Sequence, residues 1–200
     1  MINSFNQFAR KVPTWVIYLV ALLPAPVLFW QGINGELGPN PVQALEHEYG
    51  ELALQLLILC LSITPLRRYA GINLLKFRRA IGVVAFVYVL AHLLVWAVLD
   101  VQSLSRIWAD IVKRPYITIG MAGFALLLPL ALTSNNWSLR KLGARWRSLH
   151  KLTYPAILLG GVHFVWLVKG WQVEPMIYLG VILTLLVARL PKRRKLRATA

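Results

Sequence analysis

The stretch Arg147-Ser148-Leu149-His150-Lys151-Leu152-Thr153-Tyr154-Pro155-Ala156-Ile157-Leu158-Leu159-Gly160-Gly161-Val162-His163 decides how the chain reads. It is apolar enough for a buried helix, with one histidine at its basic start and a second thirteen residues deeper. At a rise of about 1.5 Å per residue, the rings sit ~20 Å apart along the axis. The hydrocarbon core of a bilayer is about 30 Å thick, so one ring falls near a surface and the other far across. Ionisable side chains at such depth mark function, because hydrocarbon penalises them.

Composition places the chain in a membrane. Of 200 residues, 58% are hydrophobic and only 14% charged, and the mean hydropathy is +0.61. A soluble domain carries about a quarter charged residues. Apolar runs of roughly 17 to 20 residues suit transmembrane helices. The expected fold class is all-α: an integral membrane bundle of six transmembrane helices, both termini cytoplasmic. The spans are about 14–30, 50–66, 80–99, 116–133, 149–168 and 175–190, in a single domain over residues 1–200. Pro24 and Pro26 predict a kink in the first span. Residues 31–49, rich in Gly, Pro and Asn, read as a loop holding at most a short helix. Residues 101–114 read as a loop with an interfacial helix, since Leu104, Ile107, Trp108 and Ile111 fall at helical spacing. No cleaved signal peptide is expected, because residues 12–30 can span and lack a small-residue cleavage site. No internal repeat is legible. Cys60, the single cysteine, excludes an intrachain disulfide and reads as a small buried apolar residue.

The net charge of +15 and the pI near 10.7 would suggest nucleic acid if taken alone. Their distribution argues for topology instead. Eighteen of the 22 basic residues fall on one side of the six spans, clustered at 10–11, 67–68, 76–79, 140–151 and 189–197. The other side holds Arg106, Lys113, Arg114 and Lys169. The positive-inside rule makes the first side cytoplasmic. All seven acidic residues fall on the outer side: Glu36, Glu46, Glu48, Glu51, Asp100, Asp110 and Glu174.

His92 lies about twelve residues into the third span and His163 about thirteen into the fifth. Both spans enter from the same side, so the rings reach nearly one depth. Two facing imidazoles are what a bis-histidine haem iron requires. A lone membrane histidine bonded to a backbone carbonyl is the bland alternative, and the matched depth favours a ligand pair. His150 sits at the cytoplasmic start of the fifth span. A ligand opposite it would have to come from the start of the third span, where the sequence offers Arg78 and Arg79 and no histidine. On a straight helix His150 and His163 do not share a face, and Pro155 between them can change the phase. His47, between Glu46 and Glu48, reads as a solvated outer residue. Gly82, Gly120, Gly123, Gly160 and Gly161 suit either a flat macrocycle or close helix packing. Trp96 and Trp166 suit either porphyrin stacking or an interfacial aromatic belt.

These residues carry a family resemblance. Arg78-Arg79-Ala80-Ile81-Gly82, continuing to Tyr88-Val89-Leu90-Ala91-His92, resembles the third-helix motif of the ferric-reductase-like transmembrane domain superfamily. That superfamily includes the membrane parts of ferric reductases and NADPH oxidases. Trp146-Arg147-Ser148-Leu149-His150-Lys151-Leu152-Thr153-Tyr154 resembles the matching fifth-helix motif. Over nearly all 200 residues the chain is similar to the haem-binding membrane subunits of periplasmic methionine-sulfoxide reductase systems. The resemblance implies haem b in a bacterial inner membrane, with His92, His163 and His150 as axial iron ligands. It implies electron delivery to a periplasmic molybdopterin reductase subunit, as a heterodimer that repairs oxidised methionines. It implies a quinol or cytoplasmic flavin-type donor, and bound FMN. The residues hold no flavin-binding motif, so FMN rests on the resemblance. Arg78, Arg79 and Arg147 suit haem propionates, a flavin phosphate or a quinone carbonyl, and the positive-inside rule alone also accounts for them. The third span has one histidine, which breaks the four-histidine pattern of the larger ferric reductases and leaves a second haem without a matched pair. No FAD or NAD(P)H domain is expected beside these spans, so electrons are expected from a separate donor.

The expected function is therefore that of a membrane cytochrome moving electrons outward through the haem of His92 and His163. The substrate-reducing step would lie on the partner protein. A histidine-relay transporter, a self-sufficient quinol-dependent metal reductase and a scaffold subunit are the rivals.

Overall fold

In the computed structural model, residues 2–168 and 172–190 are described, and their regular structure is all helical. In order come α1 (Ile2–Lys11), α2 (Thr14–Leu22), α3 (Pro24–Ile33), α4 (Pro41–Tyr69), α5 (Arg78–Leu94), α6 (Leu104–Lys113), α7 (Pro115–Leu132), α8 (Asn136–Leu142), α9 (Ala144–Leu149), α10 (Thr153–Leu167) and α11 (Val173–Ala188). Lys169 and the basic residues expected at 192–197 lie outside the described residues.

Prolines punctuate this order. The first amides of a helix have no carbonyl to bond, so a proline there loses nothing. Pro24, Pro41 and Pro115 open α3, α4 and α7, and Pro155 and Pro175 sit in the first turns of α10 and α11. The first span is accordingly broken at Leu23, between α2 and α3. Residues 41–49 are not a loop. Pro41 starts α4 there, which places Glu46-His47-Glu48 on a helix. Pro155 produces no change of phase in the fifth span, since it lies where helices accept proline. A 3-10 turn, His150–Leu152, joins α9 to α10 and changes the phase instead. Beyond Leu94 the third span widens into π-helical turns, Val95–Val101, and stops at Gln102, whose φ of 59° is left-handed. The expected interfacial helix is α6, and α1, α8 and α9 are short helices outside the expected spans.

Four helical runs are long and apolar enough to cross a membrane: Thr14–Ile33, Pro41–Tyr69, Leu75–Val101 and Pro115–Leu132. α10 and α11 are apolar but shorter, at 15 and 16 residues. α4 packs closely along α5, and α7 along α10, with α11 laid against α10 and α4. Leu57 and Leu61 of α4, Ala85 of α5, Leu127 of α7, Ile157 of α10 and Ile182 of α11 meet in the central core. Its side chains are apolar and nearly all fully buried, so packing rather than polar contact specifies the bundle. α2 and α3 pack outside this core, where Tyr88 and Tyr49 donate to the carbonyls of Ala21 (2.9 Å) and Ala25 (2.7 Å). The paired helices are antiparallel: Glu46 lies beside His92 while Cys60 lies beside Arg78. The molecule therefore has an acidic end, with all seven carboxylates, and a basic end.

Pro65, inside α4, has no N–H for the carbonyl of Leu61 four residues back. Arg189 replaces it. Its Nε donates to the Leu61 oxygen at 2.9 Å, and its Nη1 donates to the Tyr154 hydroxyl at 3.2 Å. Removing the guanidinium orphans a partly buried carbonyl, which costs about 1–2 kcal/mol. Arg189→Met is expected to lower thermal stability in detergent by that amount. In a Pro65→Ala background the restored amide takes the carbonyl, and the cost of Arg189→Met should shrink. Equal costs in both backgrounds would contradict this account.

Candidate functional site

Two helix pairs each set a histidine against a glycine. In the α4–α5 pair, His92 Nδ1 is 2.8 Å from the carbonyl oxygen of Glu46. Its ring lies over Gly50, where an added Cβ would stand 3.0 Å from Nδ1. In the α7–α10 pair, His163 Nδ1 is 2.7 Å from the carbonyl oxygen of Tyr116. Its ring lies over Gly120, where a Cβ would stand 2.9 Å from Nδ1. Both pairs thus use a carbonyl at position i and a glycine at i+4, a geometric echo that the side-chain pattern does not display. Only glycine lets the ring come this close.

A carbonyl only accepts, so each Nδ1 carries the proton and each Nε2 keeps its lone pair. Neither Nε2 has a hydrogen-bond partner among the described residues. The ring centroids are 6.2 Å apart and the ring planes 79° apart. Two imidazoles that bind one iron at about 2 Å each, through nitrogens roughly 1.2 Å from the ring centre, need centroids about 6.4 Å apart. The pair fits that requirement. No three His, Cys, Asp or Glu side chains converge on a bare-ion site among the described residues. Such a pair suits a metal whose other ligands come from a macrocycle.

The two rings face a cavity of about 890 Å³ at the acidic end. Leu54, Leu57, Val89, Phe124 and Leu127 make it apolar inside, and Glu46, His47, Glu51, Asp100 and Glu174 stand at its acidic mouth. Trp96 is buried in its wall, whereas Trp166 is exposed and does not line it. Gly120, Gly123 and Gly160 line it, while Gly161 instead packs on Ile182.

A second cavity, of about 740 Å³, opens at the basic end. Lys76, Arg78, Arg79, Arg147 and Lys151 line it, with no carboxylate among its described lining residues. His150 lies here, away from His92 and His163. Thr133 Oγ1 gives its one proton to the Pro129 carbonyl at 2.7 Å, and His150 Nε2 lies 3.1 Å from the same oxygen. His150 Nε2 is therefore the donor, the opposite tautomer to the deep pair. The Trp146 ring stacks on His150 at 3.8 Å and donates from Nε1 to the Thr133 carbonyl at 2.9 Å. Arg78 and Arg79 share the cavity, and Arg79 donates to Asn136 at 2.6 Å. Leu57 and Leu127 belong to the walls of both cavities, and Phe86 of the basic one stacks on Phe124 of the acidic one at 5.8 Å.

The sequence reading missed Gly50, Thr133 and the two carbonyls. Gly50 carried a signal in principle, as a glycine opposite a deep histidine on the neighbouring helix.

Residues 49–161 match the family model described as ferric reductase like transmembrane component. Curated relatives include the protein-methionine-sulfoxide reductase heme-binding subunit MsrQ of Brucella anthropi, 51% identical over 88% of this chain and 80% of the relative. The same subunit of Brucella ovis is 52% identical over 89% of this chain and 81% of its own. No solved structure matches the chain.

The glycine contacts make a graded prediction. Gly120→Ala is expected to destabilise the protein by about 1–3 kcal/mol, and Gly50→Ala by less. Gly160→Ala, whose Cβ would meet Leu54 at an ordinary 3.5 Å, should be near neutral. Thermal unfolding in detergent ranks the three. Adding His163→Ala should recover part of the Gly120→Ala loss; strict additivity would rule out the ring contact as its cause.

Proposed function

The chain belongs to the ferric-reductase-like transmembrane family and, within it, to the MsrQ heme-binding subunits of protein-methionine-sulfoxide reductase, and from that premise we propose that it is a haem b electron carrier of the bacterial inner membrane. The observation that carries this reading is the meeting of His92 and His163, each with its Nδ1 bonded to a carbonyl and its Nε2 free of hydrogen bonds, at 6.2 Å between ring centroids. When bound there, haem supplies a one-electron centre. His92 and His163 hold its iron through Nε2. The carbonyls of Glu46 and Tyr116 fix the tautomers and raise the basicity of both ligands. Leu54, Leu57, Val89 and Phe124 keep water from the iron.

The basic end is cytoplasmic in this reading, as are both termini, and the chain crosses the membrane six times. The His150–Leu152 turn and α10 form the fifth span. The positions of His163 beside Tyr116 and of His150 beside Thr133 support it, since they run this segment along the length of α7. α11 is the sixth span.

Electrons enter at the basic cavity from membrane quinol or from a cytoplasmic flavin donor. Arg78, Arg79 and Arg147 offset the charge of an anionic group there, whether the phosphate of FMN or the propionates of a second haem. His150 would be the protein ligand for such a haem once its bond to Thr133 is released and its Nε2 proton moves to Nδ1. Electrons leave at the acidic end to a periplasmic molybdopterin reductase, which reduces methionine sulfoxide in oxidised proteins. A histidine relay is disfavoured, because both deep rings spend their N–H on backbone carbonyls rather than on titratable partners.

An absorption spectrum of protein made with ample haem tests this reading. A reducible b-type Soret band is expected, and its absence ends the proposal. His92→Ala and His163→Ala should each remove most of the band. His150→Ala should leave the larger share of the absorbance, so haem-to-protein stoichiometry in that variant counts the sites.

A further inference from the structure

The mouth of the acidic cavity carries more charge than the cavity needs. Glu51 of α4, Asp100 of the π-helical segment and Glu174 of α11 surround it, from three separate elements. Asp100 and Glu174 are exposed, as is Glu48 nearby. One cation, Arg114, lines the mouth among the described residues, and it is already paired with Asp110 at 3.2 Å. Arg106 and Lys113 sit on α6 and do not line the cavity. The rim is therefore a ring of carboxylates without matching cations among the described residues.

Two ordinary explanations do not suit it. Anionic lipid headgroups repel carboxylates. The side chains do not converge on a metal site either. A spread ring of one sign around a cleft is instead suited to steering a soluble partner of the opposite sign, because it raises encounter rates and orients approach.

We propose that this carboxylate rim is the docking surface for the basic face of a soluble electron-accepting protein, seating it over the cavity that holds His92 and His163. The inference rests on the electron-carrier reading and adds where and by what chemistry the acceptor binds. In each transfer one ferrous haem iron becomes ferric, and one electron reduces the acceptor.

The test is stopped-flow reoxidation of haem-loaded, pre-reduced protein by two probes: ferricytochrome c, whose contact face is cationic, and ferricyanide, an anion. The cytochrome c rate should fall about ten-fold between low ionic strength and ~0.3 M salt, while the ferricyanide rate rises. Asp100→Asn with Glu174→Gln should slow the cytochrome c reaction several-fold at low salt and flatten its salt dependence, with haem content unchanged. Arg140→Gln with Lys141→Gln, at the basic end, should change neither. A haem-loaded protein whose cytochrome c rate ignores salt, or ignores the rim substitutions, overturns the docking role alone. A wild-type protein that takes up no haem sinks the electron-carrier reading and the docking role with it.

Discussion

An imidazole N–H taken out of water must be given an acceptor, and in a helical bundle most carbonyls are already engaged. That constraint organises this molecule. His92 and His163 each meet it by bonding the carbonyl of a neighbouring helix, at 2.8 and 2.7 Å. A side chain can reach a helix carbonyl only where the adjoining position is small, which is why Gly50 and Gly120 lie beneath the rings. With both N–H groups satisfied, both lone pairs are left pointing into one apolar cavity. The geometry of the proposed ligand pair is thus a by-product of meeting a hydrogen-bond demand twice in the same way.

Arg189 answers the converse demand. Pro65 leaves a carbonyl without its amide, and the guanidinium of Arg189, just past the end of α11, fills the gap. One charged side chain thereby joins α4 to α11 at the basic end, while the Glu51, Gln55 and Tyr178 side chains join the same two helices at the acidic end. The two helices are pinned at both ends by polar contacts and share an apolar core that includes Leu54, Leu57 and Ile182. Rigid placement of α4 matters because α4 supplies both the carbonyl and the glycine for His92.

Much of this was legible in the sequence, and the rest was not for identifiable reasons. The matched depths of His92 and His163 follow from counting residues from the basic start of each span, and the two rings do meet. The apolar runs mark the helices because hydrocarbon admits little else. The carbonyls of Glu46 and Tyr116 were invisible, since every residue has one and sequence pattern does not say which is approached. The helical setting of Glu46-His47-Glu48 was obscured by the Gly, Pro and Asn before it, whereas Pro41 is a helix start. His150 illustrates a different limit. Its depth was readable, but its tautomer depends on where Thr133 sends a single proton, which only three-dimensional contacts decide.

The wall between the two cavities has an electrical consequence. Deep clefts at both ends of a membrane protein concentrate the transmembrane voltage across whatever separates them. Here the wall they share is apolar: Leu57, Leu127 and the stacked rings of Phe86 and Phe124. A unit charge that crosses the full potential gains or loses about 2.3 kcal/mol per 100 mV. In the orientation proposed above, with the basic end inside a negatively polarised cell, that work would favour the proposed outward passage of an electron.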